Sequence, residues 1–177
     1  VKSLLQEYPE LKRLLELKNN STQRAECEIR KSLYAEKEQI QKMFCDGRKF
    51  SGTVGIYMSK GDTHRGGRSV AKVELDNGTI LYYKPHSLDK NIKYQELYNY
   101  LCRKTGISCR TVQYLSHDSY GWEEKIENIP CKNESEVEHY YFRMGIHLFL
   151  GYALGATDLH GENIIAHGEY PVIIDME

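Results

Sequence analysis

Apolar residues recur at helical spacing along the first part of the chain. They are Leu4, Leu5, Tyr8, Leu11, Leu14 and Leu15. Pro9 interrupts this pattern, and the polar run at 19–22 predicts a loop or a helix cap. A second helix is expected to start at Ser21 or Thr22 and to run through Ala25 to about residue 43, closed by the pair at 46–47. Residues 1–48 are therefore predicted to form an N-terminal helical segment.

Short apolar runs separated by turn residues replace the helical spacing after this segment. Strands are predicted at 53–58, 70–75, 79–83, 111–116 and 122–126. The sequence Asp-Asn-Gly at 76–78 is a strong turn signal. One amphipathic helix is expected at about 89–104. Its apolar face would carry Tyr94, Leu97, Tyr98 and Leu101. Residues 49–130 are thus predicted to be mostly β, with one helix.

The last part of the chain, residues 131–177, combines a long helix with a hairpin. The helix is expected to begin at Glu134. It is expected to be largely buried, because it carries apolar residues on all of its sides. Two β-branched runs, 164–166 and 172–174, flank a turn at 167–170 and predict the hairpin. Together with the strands upstream, these elements predict an α+β fold with an antiparallel sheet.

Composition and charge exclude several classes of function. The formal net charge of −1 indicates neither nucleic-acid binding nor attraction to an anionic membrane. No apolar run approaches the roughly 20 residues of a transmembrane segment, and no signal peptide is visible. Because the first residue is Val1 rather than methionine, the sequence is expected to begin inside a longer protein.

Cysteine usage bears on compartment and on metals. The five cysteines form no Cys-x-x-Cys pair and no Cys/His knuckle, which argues against a zinc site in this chain. Unpatterned cysteines fit a reducing compartment, where most serve as small packing residues, so a cytoplasmic location is expected.

Four polar side chains follow the long predicted helix. Asp158, His160 and Asn163 share one loop, and Asp175 ends the return strand of the hairpin. Each alone would more often be a turn or cap residue, but their order matches the needs of phosphoryl transfer. Asp158 could accept the proton of a hydroxyl, and Asn163 and Asp175 are hard oxygen ligands for Mg²⁺. His160 could orient the loop, contact the phosphate or transfer a proton.

A polar, glycine-rich segment lies between two predicted strands at 59–70. Glycines let the backbone approach a phosphate, and successive amides can bind an anion. The segment is not a Walker A loop, and most such loops are ordinary hairpin turns. Asp62, His64 and Arg68 are unusual in a mere turn, which favours a phosphate-binding function.

A lysine at the end of the next predicted strand completes the candidate nucleotide site. Lys84 follows the glycine-rich loop by one hairpin, as the phosphate-pairing lysine of kinases does. Glu96 lies in the middle of the following helix and could form an ion pair with Lys84. The alternative for Glu96 is a solvated surface carboxylate.

Taken together, these residues resemble the N-terminal dehydratase domain of class II lanthipeptide synthetases, the LanM family. The resemblance covers about residues 50–177. It is carried by the segments 61–70, 83–85, 120–123, 156–166 and 171–175. It implies a kinase-like fold nearer to lipid kinases than to protein kinases. Residues 49–130 would be the N-lobe, and 131–177 the start of a C-lobe truncated just after Asp175.

Enzymes of this family use ATP and Mg²⁺ to phosphorylate Ser and Thr of a precursor peptide with a leader sequence. They then eliminate the phosphate to give dehydroalanine or dehydrobutyrine, and a separate zinc-bearing cyclase domain adds cysteine thiols. The resemblance implies that Lys84 contacts ATP phosphates and that Asp62 and His64 belong to the phosphate-covering loop. Asp158 would be the base, His160 a further active-site residue, and Asn163 and Asp175 the Mg²⁺ ligands.

The chain departs from the family pattern in two respects. His86 follows Lys84-Pro85 where the family commonly has arginine, which puts a role for arginine there in doubt. The family's elimination residues, an arginine and a threonine, have no counterpart here, and neither has the zinc cyclase. Residues 1–177 alone are therefore expected neither to phosphorylate nor to dehydrate, and the rest of the synthetase is an expected partner.

Two other functions remain open from the sequence. Small-molecule phosphotransferases of the aminoglycoside-kinase type also use an Asp-x-His-x-x-Asn loop, and their product would be a phosphorylated alcohol. A non-catalytic kinase-like module would bind a leader peptide without needing nucleotide. The segment 62–68 favours the synthetase over the former, and the intact Lys84, Asp158, Asn163 and Asp175 argue against the latter.

Overall fold

The computed structural model describes residues 2–58, 69–157 and 159–176. These residues form helices and antiparallel strands, so the predicted α+β class is confirmed, whereas the kinase-like fold stays a prediction. The chain divides into two compact units, Val1–Pro85 and His86–Glu177, here called the first and the second unit.

Three helices open the first unit. They are α1 (Lys2–Glu7), α2 (Pro9–Ala35) and α3 (Lys37–Phe44). Pro9 does interrupt the pattern and begins α2, where its missing N–H would have no partner in any case. The predicted loop at 19–22 is wrong, because α2 continues through it. Asn, Ser and Thr each cost a helix at most about 0.7 kcal/mol, too little to end it without glycine or proline.

A three-stranded antiparallel meander follows in the first unit, close to the predicted bounds. Its strands are β1 (Thr53–Met58), β2 (Ala71–Leu75) and β3 (Ile80–Lys84). Every second residue of β2 is buried, namely Ala71, Val73 and Leu75. The predicted turn at 76–78 is confirmed, since Gly78 adopts a φ of 84° that glycine tolerates best.

The turn between β2 and β3 also holds the segment that precedes β1. Both carboxylate oxygens of Asp76 accept the backbone N–H of Ser51 at 3.0 Å, and one accepts the N–H of Gly52 at 3.1 Å. The amide of Asn77 donates to the carbonyl of Arg48 at 3.2 Å. Two turn residues therefore fix the entry of the chain into the sheet.

The second unit contains two helices, two hairpins and one 3-10 turn. Its elements are α4 (Asp89–Thr105), β4 (Tyr114–Ser116), β5 (Gly121–Glu124), α5 (Glu134–Leu154), the 3-10 turn Gly161–Asn163, β6 (Ile164–His167) and β7 (Tyr170–Ile173). Both hairpins, β4–β5 and β6–β7, are antiparallel. Each was predicted, although the strands β4 and β5 are shorter than expected.

The buried face of α4 differs in part from the predicted one. Its buried residues are Asn91, Tyr94, Tyr98 and Cys102. Tyr94 and Tyr98 were expected there, but Leu97 is 36% exposed. A polar residue, Asn91, takes part in the buried stripe because its side chain has a hydrogen-bond partner, the carbonyl of Ile174.

The prediction that α5 is largely buried is wrong. One side of the helix is buried and carries Arg143, His147, Leu150 and Gly151. The opposite side, here called the α5 apolar face, exposes between 41% and 89% of each side chain. Its residues are Val137, Tyr141, Phe142, Leu148, Phe149 and Tyr152. The apolar residues on all sides of the helix therefore did not indicate which side is buried.

The β6–β7 hairpin lies between two apolar clusters of the second unit. Val172 and Ile173 are consecutive in β7, so their side chains point to opposite faces. Ile173 packs in a cluster with Tyr94, Tyr98, Cys102 and Leu150, and Val172 in another with Val112 and Ile126. Among the helices of the described ranges, none has the length and apolar composition that crossing a bilayer requires.

Candidate functional site

The 3-10 turn before β6 is capped by a histidine that the sequence marked as functional. The exposed His160 accepts the backbone N–H of Glu162 on its Nδ1 at 3.2 Å. The N–H of Asn163 donates to the carbonyl of His160 at 3.0 Å. Because Nδ1 accepts, a neutral His160 carries its proton on Nε2. His160 therefore caps the turn, and its three possible roles in the site stay predictions.

The open end of the β6–β7 hairpin carries the two predicted metal ligands, Asn163 and Asp175. Asn163 directly precedes β6, and Asp175 follows β7 by two residues. Between them, the N–H of Ile174 donates to the carbonyl of Asn163 at 3.0 Å. This bond extends the ladder by one pair beyond Ile164 and Ile173. The backbones of two residues that lie twelve positions apart in sequence, Asn163 and Asp175, thus come close at one end of the hairpin.

Two residues of α4 and β4 surround this end of the hairpin. Asn91, which is 4% exposed, donates its side-chain amide to the carbonyl of Ile174 at 3.4 Å. It also forms a hydrogen bond with the hydroxyl of Tyr114. Burial raises the pKa of Tyr114 well above its usual range, and the carboxylates of Glu123 and Asp175 raise it further. Tyr114 therefore remains a neutral hydroxyl beside two carboxylates.

The middle of β7 is held by a buried histidine of α5. His147 is 2% exposed, and its Nε2 lies 3.1 Å from the carbonyl oxygen of Pro171. Its Nδ1 lies 2.7 Å from the hydroxyl of Tyr94, and its ring stacks on Tyr98 at 4.1 Å between centroids. Burial lowers the pKa of His147 to about 4, although the Pro171 carbonyl opposes this shift. The imidazole is consequently neutral at physiological pH.

The turn end of the hairpin is held by a buried arginine one helical turn before His147. Arg143 donates to the carbonyl and carboxylate oxygens of Glu169 at 3.1 and 2.9 Å. It also donates to the carbonyl and hydroxyl oxygens of Ser108 at 2.9 and 3.0 Å. Partial burial disfavours the ionised carboxylate, but Arg143, Tyr170 and His139 outweigh it and lower the pKa of Glu169. The guanidinium is fully paired, as a buried charge must be.

The candidate nucleotide residues upstream are placed as follows. Lys84 ends β3 in the first unit and is 4% exposed. Glu96 lies on an exposed part of α4 in the second unit, where its carboxylate accepts from Lys93 at 2.8 Å. The Lys84–Glu96 ion pair stays a prediction, because its two residues belong to different units. Glu96 is exposed and pairs with a lysine of its own helix, and both interpretations of its role stay predictions.

Four predicted residues lie outside the described residues. They are Asp62, His64 and Arg68 of the glycine-rich loop, and the candidate base Asp158. Their roles stay predictions. The residues on either side of Asp158 are described, and they connect the left-handed C-cap of α5 at Gly155 to the cap at His160.

The chemistry available at the open end of the hairpin is that of hard oxygen ligands. The amide oxygen of Asn163 and the carboxylate of Asp175 are the donor types that Mg²⁺ prefers, and it completes its shell with water and phosphate oxygens. Within the ranges that the structure describes, no three His, Cys, Asp or Glu side chains cluster as a metal site. All five cysteines are free thiols, of which Cys45 and Cys102 are buried and Cys27 is exposed.

Sequence reasoning missed the residues that hold the hairpin. Arg143 and His147 were assigned only to a buried helix, and Asn91 and Tyr114 were not singled out. One signal was present for Asn91, since it shares the helical face of Tyr94 and Tyr98. A polar residue within an apolar stripe is usually satisfied by a specific partner.

Comparison with known families decides the affiliation of the chain. A family model described as a domain of unknown function, DUF4135, matches residues 8–177. The chain belongs to the DUF4135 family. The matched residues include every candidate site residue named above.

One curated relative connects this DUF4135 chain to lanthipeptide biosynthesis. The lacticin 481/lactococcin biosynthesis protein LcnDR2 of Lactococcus lactis subsp. lactis is 34% identical over 134 residues. The alignment covers 71% of this chain and 14% of LcnDR2, so the chain spans a small part of that relative. Together, the family match and this relative confirm the resemblance to the LanM family.

Proposed function

We propose that this chain belongs to an enzyme that uses ATP and Mg²⁺ to phosphorylate Ser and Thr of a precursor peptide during lanthipeptide biosynthesis. The observation that carries the proposal is the hydrogen bond from Ile174 to Asn163, at the hairpin end that bears Asn163 and Asp175. It holds the backbone of Asn163 against the residue that precedes Asp175, and Asn163 follows Asp158 and His160 in sequence. The relative LcnDR2, a lacticin biosynthesis protein by name, supports the choice of pathway.

The residues would divide the phosphoryl transfer between them. Asp158 accepts the proton of the peptide hydroxyl, whose oxygen forms a bond to the γ-phosphorus while the bond to the β–γ bridging oxygen breaks. Asn163 and Asp175 hold Mg²⁺, which neutralises charge on the phosphates. His160 keeps the loop in shape through its bond to the Glu162 amide.

The candidate residues that precede the hairpin in sequence would bind the nucleotide. Lys84, at the end of β3, contacts the ATP phosphates, and Asp62, His64 and Arg68 belong to the loop that covers them. Loss of the new phosphate together with the α-proton of the modified residue then leaves dehydroalanine or dehydrobutyrine. We assign no residue of this chain to that elimination.

The test is to replace Asp158→Asn in the full-length protein and to incubate it with ATP, Mg²⁺ and the precursor peptide. The variant keeps the shape of the side chain but cannot accept the hydroxyl proton. We expect the rate of modification to fall by about 10²–10⁴-fold. Mass spectrometry of the peptide measures phosphorylated residues and residues lighter by one water.

A matched control is Asp118→Asn, which makes the same change at an exposed residue of the β4–β5 turn. We expect this variant to modify the peptide at the wild-type rate. Full dehydration by Asp158→Asn would remove Asp158 as the base. A phosphorylated small alcohol with an unmodified peptide would point instead to a small-molecule phosphotransferase.

A further inference from the structure

The position of Asp175 depends on how β7 is held, because Asp175 follows Pro171 by only four residues. Reacting groups displaced by about 1 Å can lose roughly 10²-fold in rate. A short two-stranded hairpin is marginally stable alone, so contacts from outside the hairpin must fix it. His147 makes such a contact, because its Nε2 lies 3.1 Å from the carbonyl oxygen of Pro171 in β7.

The hairpin ladder shows why Pro171 needs a partner. Pairs of an antiparallel ladder alternate between hydrogen-bonded and non-bonded. The pair Asn163–Ile174 is bonded, so by alternation the pair Ala166–Pro171 is not, and its polar groups point outward. The carbonyl of Ala166 accepts from the N–H of Ile129 at 2.9 Å. Pro171 has no N–H to leave unpaired, and its buried carbonyl has His147 as its partner.

The two contacts of His147 fix a single tautomer. A carbonyl oxygen can only accept, so Nε2 carries the proton and donates it to Pro171. Nδ1 then has a lone pair, and the hydroxyl of Tyr94 donates to it. With its stacking on Tyr98, the ring connects both tyrosines of α4 to β7. No alternative tautomer satisfies both contacts.

We propose that His147 is a positioning residue of the phosphoryl-transfer site, which fixes β7 and thereby Asp175 through its hydrogen bonds to Pro171 and Tyr94. The inference rests on the proposed function, since it takes Asp175 as a metal ligand. His147 itself touches neither substrate nor metal. It acts on the metal ligand through the strand.

The experiment compares His147→Phe with His147→Gln in the full-length protein. Phenylalanine retains the stacking on Tyr98 but removes both hydrogen bonds, whereas glutamine can still donate to Pro171. Mn²⁺ in place of Mg²⁺, in the presence of ATP, allows metal affinity to be measured by electron paramagnetic resonance. Steady-state kinetics with the precursor peptide give kcat and KM separately, and thermal melting follows folding.

For His147→Phe we expect a loss of about 10–100-fold in Mn²⁺ affinity or kcat, the size typical of lost support behind a metal ligand. The KM for the peptide should not change, and His147→Gln should recover part of the loss. Wild-type Mn²⁺ affinity and kcat in His147→Phe, with or without a lower melting temperature, would overturn the inference.

A second pair of variants keeps the test valid if His147→Phe does not fold. Tyr94→Phe removes only the hydroxyl that donates to His147, and Tyr100→Phe removes a half-exposed hydroxyl from the same helix. Weaker Mn²⁺ binding in Tyr94→Phe than in Tyr100→Phe supports the inference, and equal binding overturns it.

Asp175→Asn separates this inference from the function on which it rests. Loss of Mn²⁺ binding in Asp175→Asn, with no effect of His147→Phe or Tyr94→Phe, overturns the role of His147 alone. Unchanged Mn²⁺ binding in Asp175→Asn overturns the metal assignment of the hairpin, and with it both proposals.

Discussion

At the scale of single residues, two buried side chains of α5 hold the β6–β7 hairpin in different charge states. Arg143 stays charged because Glu169 and the oxygens of Ser108 surround its guanidinium. His147 stays neutral because burial lowers its pKa. Protonation would place a charge in the core, where neither hydrogen-bond partner, the Tyr94 hydroxyl or the Pro171 carbonyl, is a carboxylate that could balance it. Stability should therefore depend on the pH at which His147 is protonated.

The pH dependence of folding has a definite sign for His147. Burial lowers its pKa from 6.5 to about 4 in the folded chain, so the unfolded chain binds the proton first as the pH falls. The stability that the neutral ring contributes is complete above pH 6.5 and is lost progressively between pH 6.5 and 4. Between about pH 7.5 and pH 5 this amounts to about 2 kcal/mol. Urea unfolding at both pH values measures it.

The reference for that measurement is His147→Gln, whose side chain does not titrate. We expect the free energy of unfolding of the wild type to fall between the two pH values by about 2 kcal/mol more than that of the variant. Equal falls in the two proteins would mean that His147 titrates at its ordinary pKa when folded.

The placement of single residues was predictable from sequence only where neighbours in the chain determine it. His160 and Asn163 lie beside the predicted loop and Asp175 beside the predicted hairpin because both elements are local, while their roles stay predictions. The contacts of Arg143 and His147 were not predictable, since their partners are 24 to 53 residues away in sequence. The partner of Asn91 is 83 residues away. Such contacts depend on how elements pack, which no local spacing encodes.

At the scale of elements, short turns determine where the strands lie. The turn at 76–78 closes the β2–β3 hairpin and also binds the backbone before β1 through Asp76. The hairpins were predictable because Asp-Asn-Gly and His-Gly-Glu-Tyr are local signals. The length of α2 was not predictable, because the polar residues at 19–22 are only a weak signal for a helix end. The exposure of α5 was not predictable either, because an apolar sequence does not reveal which face another element covers.

The anchoring by Asp76 can be tested with two substitutions. Asp76→Ala removes the acceptor for the N–H groups of Ser51 and Gly52 and should lower the free energy of unfolding by about 1 kcal/mol. Asp76→Asn keeps one acceptor oxygen and should cost less. Chemical denaturation measures both, with Asp118→Ala as the control at an exposed turn residue. An equal effect of Asp76→Ala and Asp118→Ala would contradict the anchoring role.

At the scale of the whole molecule, the α5 apolar face is an exposed apolar surface of the described residues. Six large side chains lie exposed on one side of a 21-residue helix. Soluble monomers rarely expose contiguous apolar patches beyond a few hundred Å². The opposite side of the same helix holds the hairpin through Arg143 and His147. One side of α5 thus packs against the hairpin, and the other side exposes apolar side chains to water.

We expect the chain of residues 1–177 to self-associate as its concentration rises. Leu148→Lys places a charge in the centre of the α5 apolar face and should shift the chain towards monomer. Ser135→Lys adds the same charge at an exposed residue in the first turn of α5 and should leave association unchanged. Sedimentation velocity over a range of concentrations measures the effect. A wild-type chain that stays monomeric throughout would contradict the expectation.

The hydrogen bond between Ile174 and Asn163 gives the site a spectroscopic handle. Its donor is a single backbone N–H that lies between the two predicted ligands. Hydrogen–deuterium exchange at this amide reports how often the end of the hairpin opens. Its chemical shift in an isotope-labelled sample reports any change in the geometry of that bond. The state of the hairpin end can therefore be followed residue by residue in a protein that is not turning over.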